Sequence, residues 1–576
     1  MGACFPRFSE SPVHGAQEHV WLARDLPRVS PMYRMSRPHG ALAWAELAAA
    51  LLITALIVFL NVRFSTHAGP LWRDEVSTLR LATQPTYAEV ARSLSFDSAP
   101  LLFPTLVRLW SSSLSGGDQD GPMRAFGLGV ATAMVGAIWV TAWTLGVGPP
   151  MLALALFGTH SATLQIAGSV KPYGLGSVFI VLAFGAIGRL TISPRRRQLL
   201  YAFGVSILAV QTLYHNATLI LAACLAGVVV AAVVRERPVA LAVIATGAAA
   251  AVSLLPYAGV LRSSQDWRPL IQRDFDTPFL LARSSAVLIE GNRGLAVLWT
   301  AVAVLVAYAA VRALRRSSSG EPTAARRRVL YAVLVIVCAT SLYLGFLKLA
   351  GRVPLAWQFV PLIGVVAIAI DVVLAATPPL RWARLGVAVL VTLLAFPIRI
   401  ERVGVRQTNV DLIAQYLHTE AQRGDLIVVH PWFVGITFKH YYHGPVDWMT
   451  LPPIEDLTVH RYDLVKLRMV SSEPLIPLYG AIQSALESGH RVWLVGGLPF
   501  LRAGELPPVF PPAPALSTGW KDLPYAIAWA LQAGYFVQTH AESLADVGIP
   551  VDRPVSELER VRLLVAEGWR EPGPGG

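Results

Sequence analysis

The stretch GPLWRDEVSTLRLATQP, residues 69–85, sets two adjacent carboxylates, Asp74 and Glu75, just past a long, mostly apolar run. A carboxylate beside a hydroxyl can take its proton as a general base, an effect of about 10²–10⁴-fold in rate. Neighbours at i and i+1 on a helix point different ways, so only one of the pair is expected to be the base. Arg73 reads as a partner for the two acids. The plainer reading is a helix N-terminus, where Asp and Glu commonly serve as caps. Lys171, His215 and Arg352 stand at the ends of other apolar runs. A fixed cation where negative charge develops is a strong catalytic term. The alternative for each cation is a side chain that snorkels to lipid headgroups.

Positioning such residues needs a scaffold, and the composition restricts what it can be. The 576 residues are 54% hydrophobic and 15% charged, with mean hydropathy +0.52. A soluble domain needs more charge to cover its surface. A membrane span needs about 20 apolar residues, and eleven segments qualify, near 41–61, 125–145, 150–168, 174–191, 199–214, 217–234, 239–257, 295–311, 329–347, 357–376 and 383–398. Such runs must be helical in lipid, since every backbone polar group has to be paired internally. The expected fold is therefore a polytopic α-helical membrane protein. The net charge of +12 comes from arginines in short loops, which speaks for topology rather than a nucleic-acid partner. Those loops include Arg195–Arg197, Arg235 and Arg237, Arg326–Arg328, and Arg381 with Arg384. They place the N-terminus in the cytoplasm, and the loop 62–124 and residues 399–570 outside.

Residues 1–40 lack a signal-peptide core and read as a disordered cytoplasmic tail, with Met32 or Met35 as alternative starts. The loop 62–124 reads as two short amphipathic helices, separated around FDSAP and lying along the membrane surface. From 399 the pattern alternates helix and strand, with DLIVVH, VDWMTLP and RVWLVGG as strands. That alternation implies a small parallel α/β domain. RVWLVGGLPF lacks the later glycine and following helix of a dinucleotide fingerprint. The terminal REPGPGG is expected to be disordered. The three cysteines give no disulfide framework. His440 and His443, with His430 earlier, have metal-like spacing but no certain carboxylate partner, so no metal and no cofactor are expected.

The segments LWRDEVSTLRLA and FDSAPLLFPTLVRLW after a first span resemble the GT-C superfamily of polyprenol-phosphate-sugar-dependent glycosyltransferases. The closer likeness is to the family 39 type, which includes protein O-mannosyltransferases and lipid A aminoarabinose transferases. GSVKPYGLGSVF at 168–179, QTLYHNATLILAA at 211–223 and GRVPLAWQFVPLIGVV at 351–366 resemble later outer turns of that family. The likeness spans nearly the whole chain as architecture and short stretches as motif. Two departures stand out: S-A-P-L replaces a basic residue before Pro-Pro, and Lys171 stands where an arginine is usual.

The resemblance implies transfer of a hexose or pentose from a polyprenyl-phosphate donor to an extracytoplasmic glycan, lipid or protein, with inversion. It assigns Asp74 as the base and Glu75 to helix geometry or the sugar. Asp97, Lys171, Tyr173, His215, Arg352 and Arg73 become candidate substrate ligands. A covalent route needs a second carboxylate about 5–5.5 Å away, and Asp97 is the candidate for it. The lipid-linked sugar is a substrate rather than a cofactor. Composition rich in Ala, Arg and Pro suggests a high-GC bacterium, hence the inner (plasma) membrane. The rival class is a transporter or flippase of polyprenol-linked sugars. Against it stand the lack of an internal repeat and only two acids within the spans, Glu46 and Asp371, neither with an evident partner.

Overall fold

The computed structural model describes residues 40–113, 119–315, 323–512 and 520–571. The N-terminal tail with its alternative starts, and most of REPGPGG, lie outside them. Among the described residues nine helices are long and apolar enough to cross a membrane. They are Ala41–His67 (α1), Asp120–Leu145, Pro172–Leu190, Asn216–Val233, Arg237–Asp266, Arg293–Arg315, Ala324–Leu349, Ala356–Ala375 and Pro378–Arg402. The protein is a polytopic α-helical membrane protein.

Two of the eleven expected spans are helical but differ from a full span. Arg196–Thr212 has 17 residues and opens on Arg196, Arg197 and Gln198. The segment 150–168 is broken: Met151–Ala153 runs into a π turn, Leu154–Gly158, and a second π turn follows at Thr163–Ala167. Thr159, His160 and Ser161 lie buried between the two turns. Irregular backbone at membrane depth survives only where protein satisfies it. Here Arg399 Nε donates to Thr159 O at 2.6 Å, and Ser161 N donates to Glu290 Oε1 at 2.9 Å. A hydropathy window registers the apolar side chains and is blind to this break.

The two acids without evident partners do have them. Arg384 Nε donates to Asp371 Oδ1 at 2.6 Å, and its Nη1 reaches Glu46 Oε1 at 3.2 Å. Arg381 also pairs with Glu46. Arg384 further donates to Pro149 O, so one guanidinium joins α1, two later helices and the turn before Met151. Glu46, Asp371 and Arg384 are all buried.

After α1 the first loop forms α2 (Arg73–Ala82), α3 (Tyr87–Ser93) and α4 (Leu102–Ser112), followed by α5 (Asp120–Leu145). The expected first amphipathic helix is thus two helices. Pro85 cannot continue α2, and Thr86 caps α3 by accepting from Glu89 N at 3.2 Å. Nor is α2 a surface helix with one covered side: Glu75, Val76, Ser77, Thr78, Leu79, Leu81 and Ala82 are all buried. It packs between α4 and the C-terminal helix Val434–Tyr441.

The C-terminal part carries a five-stranded sheet of order β2–β1–β3–β5–β4. Its strands are Leu426–Val429 (β1), Trp448–Thr450 (β2), Val492–Val495 (β3), Ala541–Val547 (β4) and Leu563–Trp569 (β5). β1 pairs in parallel with β2 (Val428 opposite Met449) and with β3 (Ile427 opposite Trp493). β5 and β4 add antiparallel, with Leu494 opposite Leu564 and Leu564 opposite Asp546. The sheet is therefore mixed, which corrects the expectation of a parallel one. β4 escapes detection because it is a mostly exposed edge strand, AESLADV, without a buried alternating face.

Removing one partner of a buried ion network costs about 3–5 kcal/mol, whereas replacing the set with apolar groups is close to neutral. Asp371→Ala is expected to lower the thermal midpoint in detergent by several degrees. Asp371→Ala combined with Arg384→Met should recover part of that loss. Equal midpoints for wild type and Asp371→Ala would contradict a structural role for the network.

Candidate active site

α2 begins under tight control of its first turn. Glu75 sits at N3 and is fully enclosed. Its Oε1 accepts from Arg124 Nη1 at 2.7 Å and from Val170 N at 3.0 Å, while Oε2 accepts from Trp72 N at 3.3 Å. Arg124, near the start of α5, also donates to Gly69 O at 2.9 Å and to Pro70 O at 2.6 Å. This one buried pair fixes the approach to α2, its first turn and the turn before Lys171. Glu75 has no free face: it is buried, and both carboxylate oxygens are engaged within the chain.

Asp74 projects the other way. Its Oδ1 accepts from Arg73 Nε at 2.9 Å, and the neutral ring of His460 lies 3.6 Å away. About one fifth of the Asp74 side chain is exposed. Burial pushes its carboxyl upward, but the charged Arg73 and Lys171 outweigh it and hold the group well below the usual range. Asp74 is thus ionised. The Arg73 guanidinium lies 4.6 Å over the Phe433 ring, and its backbone N–H donates to Glu559 Oε2 at 3.1 Å.

The other sequence-derived residues gather here. Lys171 Nζ donates to Thr78 Oγ1 at 3.1 Å, and Thr78 Oγ1 donates to Asp74 O at 2.9 Å. Burial lowers the ammonium, yet Asp97 and Asp74 outweigh it, so its pKa is raised and it stays charged. Asp97 accepts from Ser98 N at 2.5 Å. Tyr173, one residue into its helix, is buried within the electrostatic reach of both Lys171 and Arg352. His215 is held down to about 4, by burial first and then by Arg352 and Arg268, and is neutral.

Arg352 and Arg268 sit close enough for each to act on its surroundings together, and burial followed by Arg268 lowers Arg352. Among the described residues neither guanidinium has an ion pair or hydrogen bond, and Arg268 Nε is buried unpartnered. Two partly exposed cations side by side, without an acid partner among the described residues, make a favourable place for an anion.

Several site residues gave no signal in the sequence reading. His460, Tyr462 and Glu559 come from the C-terminal part, far along the chain, and Arg268 from the 3-10 turn Arg268–Ile271 that follows the span Arg237–Asp266. Phe96, Trp267, Tyr462 and His460 stack in series, with centroids 5.7, 5.2 and 6.2 Å apart. That ladder joins the first loop to the C-terminal part. Arg124 carried only a weak signal, as the residue immediately before the apolar run 125–145. His440 meets the Tyr441 ring edge to face, and His443 Nδ1 lies 3.1 Å from Tyr441 O.

The geometry offers an ionised carboxylate, a charged lysine and a bare cation pair, under a roof of aromatic rings. Solved structures that resemble this one include two of membrane-bound transferases. They are ArnT from Cupriavidus metallidurans bound to undecaprenyl phosphate, and an Archaeoglobus fulgidus oligosaccharyltransferase tethered with an acceptor peptide containing the NVT sequon. The first is 13% identical with TM-score 0.46, over 92% of this chain and 98% of that one. The second is 10% identical with TM-score 0.41, over 77% and 68%. No family model and no curated protein matches the sequence.

Glu559 accepts from Thr437 Oγ1 at 2.8 Å as well as from Arg73 N. Burial pushes its carboxyl up to about 7 against the pull of Arg73, from an ordinary 4.5. The folded chain therefore keeps a proton that the unfolded chain has lost. Stability from this group is present below about pH 4.5 and falls as pH rises to about 7. Glu559→Gln is expected to gain on wild type between pH 5 and pH 8, by on the order of 3 kcal/mol. Thermal melts at both pH values test this, and a difference that does not change with pH would contradict it.

Proposed function

We propose that the chain is a GT-C-type glycosyltransferase that moves a hexose or pentose from a polyprenyl phosphate to a hydroxyl of an extracytoplasmic acceptor. Its setting is the inner membrane of a bacterium, with the N-terminus cytoplasmic and the C-terminal domain outside. The observation that carries this reading is that ionised Asp74 and the bare cation Arg352, beside Arg268, share the neighbours Tyr173 and Tyr462. The motif resemblance of the first loop supports it.

In this reading Asp74 takes the acceptor proton as the acceptor oxygen attacks the anomeric carbon. The bond to the phosphate oxygen breaks on the opposite face, which inverts the centre. Arg352, Arg268 and Lys171 stabilise the departing phosphate. A carboxylate held this low is a weak base in the empty site, since a base works best near the operating pH. An anionic donor beside Lys171 and Arg352 offsets the cations and raises Asp74 toward that range. Glu75 and Arg124 position the base, and Tyr173, His215 and Asp97 line the donor side. Glu46 and Asp371 are neutralised in a fixed network, an arrangement that does not serve a moving carrier.

Purified protein offered a panel of radiolabelled polyprenyl-phosphate sugars and an envelope extract should transfer label. Asp74→Asn is expected to cut transfer by about 10²–10⁴-fold while keeping donor affinity within a few-fold. Arg352→Ala and Arg268→Ala should each weaken donor binding roughly tenfold or more, an effect reduced in high salt. Unchanged transfer by Asp74→Asn would sink the assignment.

A further inference from the structure

A second cavity, of about 380 Å³, lies in the C-terminal domain at the carboxyl ends of β1 and β3. In the order β2–β1–β3 the chain leaves β1 for one neighbour and returns to the other side, so the strand order reverses between β1 and β3. Crevices at that point are the usual ligand sites of α/β sheets. The floor is one face of the β4–β5 ribbon, with Leu544, Asp546, Arg562 and Leu564. The wall is the loop from Gly496 to Phe500, and His430 closes one end.

The site is rigidly built. A Cβ on Gly496 would fall 1.6 Å from His430 O, so only glycine lets this loop approach β1. Gly496 N donates to Arg562 O at 2.7 Å. The His430 ring is neutral, because burial lowers its pKa, and its Nδ1 lies 3.1 Å from Gly497 O. The Nδ1–H therefore donates there and leaves Nε2 as an acceptor. Among the described residues no protein acceptor takes the N–H of Gly497 or Leu498. Arg562 and Asp546 pair with each other, so the cavity has balanced charge. Phe500 and Leu544 supply exposed apolar surface.

Backbone donors, a ring acceptor, apolar platforms and cancelled charge together suit an uncharged ring with many hydroxyls. A nucleotide or acidic sugar would need a free cation. The site also communicates with the catalytic cleft by a short path. His430 and Phe433 are three residues apart, at most about 11 Å of chain. Phe433 lies under Arg73, and Trp432 packs on Tyr462 at 5.6 Å.

We propose that this cavity binds a neutral sugar unit of the acceptor glycan, remote from the hydroxyl that reacts. The choice of an acceptor glycan rests on the transferase reading; the saccharide site itself rests on the geometry. The test uses the full chain in detergent on an array of neutral di- to tetrasaccharides of mannose, glucose, galactose and arabinose. Wild type and Asp74→Asn should bind the same oligosaccharides with equal affinity. Leu544→Trp, which fills the cavity from an exposed edge strand, and Phe500→Ala should each weaken binding at least tenfold. No neutral oligosaccharide bound by wild type, or equal binding by all four proteins, overturns the proposal. Label transfer from a polyprenyl-phosphate sugar, measured on the same preparations, separates the two readings. Asp74-dependent transfer with saccharide binding indifferent to Leu544→Trp would leave the transferase and remove this site. Binding lost in Leu544→Trp without any transfer would keep the site and remove the transferase.

Discussion

The buried pair of Glu75 and Arg124 governs the geometry on which everything else at the cleft depends. One carboxylate takes up three donors from three parts of the chain, and one guanidinium spans the carboxylate and two carbonyls of the approach to α2. An ion pair of this kind contributes little net stability, because desolvation offsets the attraction. What it confers is register. With its donors satisfied on all sides, the first turn of α2 has one orientation, and the neighbouring Asp74 has no choice but to face the cleft. The carboxylates that the sequence presents as a pair thus separate by burial into one that is held and one that is offered.

Charge is distributed across the cleft with comparable economy of position. Asp74 is surrounded by Arg73 and Lys171, each of which also has another partner, so its charge is stable without being fully neutralised. Arg352 and Arg268, by contrast, repel each other, and no acid among the described residues pairs with either. A site whose negative member is satisfied and whose positive members are not has a directional field. It favours an anion on one side and leaves the carboxylate facing the other.

The sequence spoke clearly about features that repeat or are local. Apolar runs of span length announced the bundle, and adjacent acids after the first run announced the head of α2. Lys171 and Arg352 were visible because a cation at the margin of an apolar run is conspicuous. His460, Tyr462 and Glu559 were not, since each sits in an ordinary polar stretch and acquires meaning only when the C-terminal part packs on α2. The β4–β5 ribbon was hidden for a related reason: an exposed edge strand carries no hydrophobic period. The break at Thr159–Ser161 is the converse case, where local composition promised regular helix and distant arginines made irregularity tolerable.

The aromatic ladder and the contact of Glu559 with Arg73 both draw on the last third of the chain. Asp74 emerges early, right after the first helix, yet its surroundings wait for residue 460 and then for residue 559. During synthesis the nascent protein would therefore sit in the bilayer for most of its elongation with an unfinished centre. The centre is thus among the last parts of the fold to be assembled, and any truncation before Glu559 removes a neighbour of Arg73.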